Sequence, residues 1–85
     1  MRIVWNDTQR THLLDVSRRG PHAQRIDPEW TQEAVNAPGA WTDAVDSSEP
    51  YKRRSTGYSP SYGDWLTVVY LDINGQLYGI TAYPA

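Results

Sequence analysis

Apolar and polar positions change their period about halfway along the chain, from helical spacing to strand alternation. Arg2-Ile3-Val4-Trp5 is short and β-rich, and it runs into Asn6-Asp7, both good helix N-caps. This predicts a first strand followed by a helix over about 7–19. Leu13 and Leu14 give that helix a narrow apolar stripe, and Gly20-Pro21 supplies its stop signal. A second helix is predicted over 28–37: Asp27 precedes Pro28 at a first helical position, Glu29 suits the N-terminal dipole, and Trp30, Ala34 and Ala37 recur at i, i+4 and i+7 before Pro38-Gly39.

Residues 40–45 read as a short strand, 46–50 as a loop, 51–58 as a second, edge-like strand and 59–63 as a turn. Two strongly β segments follow, 65–73 and 76–83, separated by Asn74-Gly75. This predicts a hairpin with a type I′ turn, whose two central residues both need φ > 0. A regular register then pairs Ile73 with Gln76, Leu71 with Tyr78, Val69 with Ile80 and Thr67 with Ala82, and Trp65 continues that side. That side is expected to meet the helices. The opposite side would carry Leu66 with Tyr83, Val68 with Thr81, Tyr70 with Gly79 and Asp72 with Leu77. Two short helices cannot cover both faces, so this half-apolar, tyrosine-bearing face is a candidate binding surface. The alternative is that a terminus or residues 20–26 fold back over it.

At 85 residues the chain is expected to form one domain over 1–85. It has no Cys, which excludes disulfides and cysteine-based zinc sites. It has no run of about 18 apolar residues and its first residues lack the apolar stretch of a signal peptide, so a soluble, cytoplasmic protein without membrane contact is expected. Four Trp and six Tyr with no Phe mean that every aromatic ring carries a polar tip suited to half-buried surfaces. The net charge of −2 is unevenly spread. Residues 1–26 carry Arg2, Arg10, Arg18, Arg19 and Arg25 against Asp7 and Asp15. Residues 27–49 hold Asp27, Glu29, Glu33, Asp43, Asp46 and Glu49 with no base, and the remainder sets Lys52, Arg53 and Arg54 against Asp64 and Asp72. A uniformly basic nucleic-acid binder is excluded; a molecule with one basic and one acidic surface is not.

No phosphate loop, dinucleotide fingerprint or nucleophile elbow is present, and His12 and His22 lack the carboxylate arrangement of a metal site, so neither metal nor cofactor is expected. His12, on the first helix, is a candidate general acid or base; the alternative is a histidine that packs or caps. Tyr51-Lys52-Arg53-Arg54-Ser55 with Tyr58 places phosphate-binding charge beside rings on which bases can stack, as single-stranded RNA recognition requires. In a strand Lys52 and Arg54 share one side and Arg53 points to the other. Edge-strand protection by exposed bases is the competing explanation.

Val4-Trp5-Asn6-Asp7 with Arg10-Thr11-His12-Leu13 resembles the opening strand end and N-x-x-H-L helix of BrnT-family toxins, with Arg10 standing where relatives have Asn. Residues 28–34, 54–61, 66–69 and 78–85 are similar, in order, to BrnT-like small proteins of actinobacteria. The resemblance implies an α+β, RelE-like fold: an antiparallel sheet with two N-terminal helices on one face, a C-terminal Asn-Gly hairpin and an RNA-cleaving groove on the other face. It implies the toxin of a type II toxin–antitoxin pair, a metal-independent endoribonuclease that inhibits translation, with a cognate antitoxin protein and RNA as partners. His12, Arg54, Tyr58 and Tyr83 match family positions. On this reading His12, or Lys52 on its chemistry alone, activates the 2′-hydroxyl, Arg54 stabilises the phosphorane and Tyr58 or Tyr83 positions a base; Arg53, also on its chemistry alone, and Tyr70, on the half-apolar face, are further candidate RNA contacts. The alternative function is a non-catalytic protein-interaction module that keeps the fold and binds through the Tyr70 and Tyr83 face.

Overall fold

The computed structural model describes residues 1–15, 25–45 and 48–85. Its elements are β1 (Ile3–Val4), α1 (Asp7–Leu14), α2 (Pro28–Asn36), β2 (Trp41–Ala44), β3 (Lys52–Ser59), β4 (Asp64–Ile73) and β5 (Gln76–Pro84). The strands form one α+β sheet in the order β1-β5-β4-β3-β2. The sheet is mixed rather than antiparallel, because β1 runs parallel to β5. β3 lies between β2 and β4 and is no edge strand, so its three bases are not edge protection; β2 takes that place.

The helix starts follow the sequence signals. The Asn6 side chain accepts from the Gln9 N–H at 2.8 Å and the Asp27 side chain from the Glu29 N–H at 2.9 Å. α1 ends at Leu14, short of the expected 19, because Asp15 leaves helical geometry at ψ 90° and its N–H closes onto the Thr11 carbonyl. The freed carbonyl of Leu13 accepts from the Ile26 N–H at 3.0 Å, so the returning chain satisfies one of the groups that a helix end exposes. The Gly20-Pro21 stop and His22 lie outside the described residues. α2 ends at Asn36, with Ala37 as its cap.

The hairpin turn is as expected, with φ 53° at Asn74 and 81° at Gly75. The register holds from Ile73–Gln76 to Tyr70–Gly79 and then slips. Val69 pairs with Thr81, Val68 with Ala82, Thr67 with Tyr83 and Leu66 with Pro84, leaving Ile80 as the extra residue of a β-bulge.

The helices cover the opposite face from the one expected. Leu66, Val68 and Tyr70 of β4 lie in the core with Ile3, Trp5, Leu13, Ile26, Ala34, Val35, Leu77 and Ala82. Two glycines explain the choice. A Cβ on Gly57 would stand 1.9 Å from the Ala34 carbonyl oxygen, and one on Gly79 would stand 2.4 Å from the Trp5 ring. The sheet is thus bare where α2 and Trp5 press closest, and only the Gly57/Gly79 face admits them. Around this core, the Trp5 indole donates to Thr31 at 2.9 Å, and Ser55 joins Thr42 and the Tyr70 hydroxyl in a chain of hydrogen bonds at 2.7 and 2.8 Å. Gln32 closes the outer edge of β1: its amide accepts from the Ile3 N–H and donates to the Ile3 carbonyl, both at 2.8 Å.

Candidate functional site on the open sheet face

Strand alternation sends the remaining side chains to the uncovered face. Across it, in register, run Trp41, Thr56, Thr67 and Tyr83, and beside them Asp43, Arg54, Val69 and Thr81. Tyr58 and Trp65 form the next cross-strand pair. Because of the bulge, Tyr83 shares this face with Thr67 instead of lying beside Leu66. A groove of about 520 Å³ is lined by Trp41, Asp43, Arg54, Thr56, Thr67 and Tyr83, with Pro84 and Ala85 beside them.

The groove has a polar floor and aromatic walls. Thr56 and Thr67 are buried and share a hydroxyl–hydroxyl bond at 3.0 Å. Trp41 is 56% exposed, with its ring centroid 5.8 Å from that of Trp65, and Tyr58 meets Trp65 edge-on at 6.2 Å. Exposed large rings grouped on one surface are the usual mark of a contact site.

Charge on this face is paired. Arg54 donates from Nε to Asp43 Oδ1 at 3.1 Å and from Nη2 to Oδ2 at 2.6 Å. The hydrogen bond from Arg54, with its positive charge, holds the Asp43 carboxyl below its ordinary range. Asp43 in turn raises Arg54, with a smaller contribution from the Tyr83 phenol, which lines the same groove. Lys52 lies two residues before Arg54 on the same face and pairs with Glu49 at 3.8 Å.

The other expected site residues are elsewhere. Tyr70 is 3% exposed and its hydroxyl is engaged by Ser55, so it has no ring face to offer RNA; this corrects its assignment to a binding surface. Arg53 pairs with Tyr70 across β3 and β4 and projects to the helix side, opposite to Lys52 and Arg54, as alternation requires. His12 is half-buried on α1, in a shallow depression with Asp7, Thr8 and Thr11, and α1 packs on the helix-covered side. Sequence reasoning missed Trp41, Asp43, Thr56, Thr67 and Trp65. Counting outward from Arg54 in steps of two would have found Thr56, and the register of the β3–β4 pair would have added Thr67 and Trp65.

No family model, curated protein or solved structure matches this chain. Among the described residues, no cluster of His, Asp and Glu could hold a metal ion, and no helix is long and apolar enough to cross a membrane.

Proposed function

We propose that the open sheet face binds and cleaves RNA, and that the protein is a metal-independent endoribonuclease toxin of a type II toxin–antitoxin pair, with a RelE-like fold. The observation that carries this reading is that Arg54 lines one groove with the exposed rings of Trp41 and Tyr83. A guanidinium supplies charge and N–H donors for a phosphate, and the rings supply stacking surfaces for unpaired bases. Cleavage would follow attack of the 2′-hydroxyl on phosphorus with departure of the 5′-oxygen. Arg54 counters the charge that develops on the phosphorane, and Lys52, on the same face, serves proton transfer in place of the distant His12. The cognate antitoxin would neutralise the protein by covering these rings.

A second reading, a non-catalytic interaction module, is favoured by the Asp43 carboxylate, which cancels the charge of Arg54. Expression in a bacterial host separates the two. Growth arrest with RNA cleavage, lost in Arg54→Ala while the fold is kept, supports the ribonuclease. Harmless expression with intact RNA leaves the interaction module.

A further inference from the structure

The row Trp41–Thr56–Thr67–Tyr83 crosses four adjacent strands in register. Three inter-strand steps of about 4.8 Å set its outer residues roughly 14 Å apart at Cα. The inner two are small and their hydroxyls bond to each other, so the centre of the row is low and its ends are high. A flat ring entering the groove would meet the exposed Trp41 and Tyr83 side chains, with the buried threonine pair beneath. The Arg54–Asp43 pair stands at the rim of the same groove.

Stacking on Trp and Tyr tolerates any base, so selectivity has to come from the hydrogen-bonding groups at the rim. Asp43 is an acceptor with about four lone-pair sites; the Arg54 fork takes the one on each oxygen that faces the other, so the two that remain point apart and a base meets one oxygen at a time. Its side chain is 46% exposed, so the remaining sites are open to the groove. Among the RNA bases, guanine alone places two donors, N1–H and N2–H, side by side on its Watson–Crick edge, close enough to converge on one carboxylate oxygen. Adenine and cytosine have a single amino group there and uracil a single imide N–H. Arg54 keeps three of its five N–H donors for guanine O6 or a phosphate.

Resting on the RNA-cleaving reading of this face, we infer that the groove between Trp41 and Tyr83 holds one nucleobase and that Asp43 makes that base guanine. Asp43 is then the residue that determines sequence preference, and Trp41 the stacking wall.

The test is a titration of the full chain with guanosine, adenosine, cytidine, uridine and inosine monophosphates, followed by NMR at the Trp41 indole. The guanosine nucleotide should bind about tenfold more tightly than the others. Inosine, which lacks the N2 amino group, should fall to their level. Asp43→Asn should erase the margin, and Trp41→Ala should weaken all five alike, with circular dichroism confirming the fold of each variant. Equal binding of the five nucleotides, or an unperturbed Trp41 indole, overturns the inference. Growth arrest and RNA cleavage without guanine preference would overturn it and leave the ribonuclease reading standing. Guanine-selective binding with harmless expression would uphold the slot and reject the ribonuclease.

Discussion

Arg54 and Asp43 face each other across β2 and β3 in a two-bonded fork, at 3.1 and 2.6 Å, on the same side of the sheet as Tyr83. The fork sets the guanidinium plane and neutralises it. Asp43→Ala should therefore free a full positive charge, strengthen binding to mixed-sequence RNA at low salt, and steepen the fall of affinity with salt by about one phosphate contact. Arg54→Ala should weaken RNA binding and flatten the same slope. Both side chains are exposed enough that thermal unfolding should move little in either variant. Affinity measured across a salt series checks the pair.

Gln32 and Ile3 give a stability prediction. The Gln32 amide stands in for a neighbouring strand, and Gln32→Leu would leave the Ile3 N–H and carbonyl unpaired beside the core. The expected cost is about 2–4 kcal/mol, read as a lower urea midpoint with unchanged slope. Gln32→Glu retains an acceptor but no donor and should fall between wild type and Gln32→Leu.

Acid should loosen the turn between β3 and β4. Glu33 accepts from the Ser61 hydroxyl and N–H at 2.6 and 2.9 Å and from the Ser59 hydroxyl at 2.8 Å. These bonds, Ser61 first, hold its carboxyl below the ordinary 4.5, and Arg54 holds Asp43 below 3.8. Both folded values lie under the unfolded ones, so the stabilisation is complete above the ordinary range and is lost as pH falls through the folded values. A series of urea midpoints taken into acid should decline below pH 4.5. The decline should be shallower in Glu33→Gln.

Gly57 and Gly79 should resist replacement by alanine. The Gly79 Cβ would overlap the Trp5 indole, which is buried and held by Thr31 and can shift only by disturbing the core, at about 3 kcal/mol. The Gly57 Cβ would strike the α2 backbone, which cannot rotate away, so Gly57→Ala should be the more damaging of the two. Thermal melts rank them.

Local signals in the chain predicted the elements well, because caps, proline at a first helical position and the Asn-Gly turn act over a few residues. Asn6, Asp27 and Asn74 perform the roles their types suggest. The faces of the hairpin were not legible. Leu66-Val68-Tyr70 and Thr67-Val69-Leu71 are similarly apolar, and the deciding contacts, Ala34 on Gly57 and Trp5 on Gly79, join residues distant in sequence. Nor does alternation announce a bulge, so Ile80 hid the true side of Tyr83. Of the candidate site, Arg54, Lys52, Tyr58 and Tyr83 were visible as chemistry on strands. Asp43 was not, because its role depends on β2 lying beside β3.

The Gln32 clamp also gives the sheet a direction. The outer backbone of β1 at Ile3 is already occupied by a side chain of the same molecule, so an incoming strand finds no template there. At the far side, β2 ends the sheet with four exposed residues and no proline or lysine among them. A strand added from outside, whether from a neutralising protein or from a misfolded neighbour, can dock along β2. That place borders Trp41 and Asp43, so lengthening the sheet and closing the groove would be a single event.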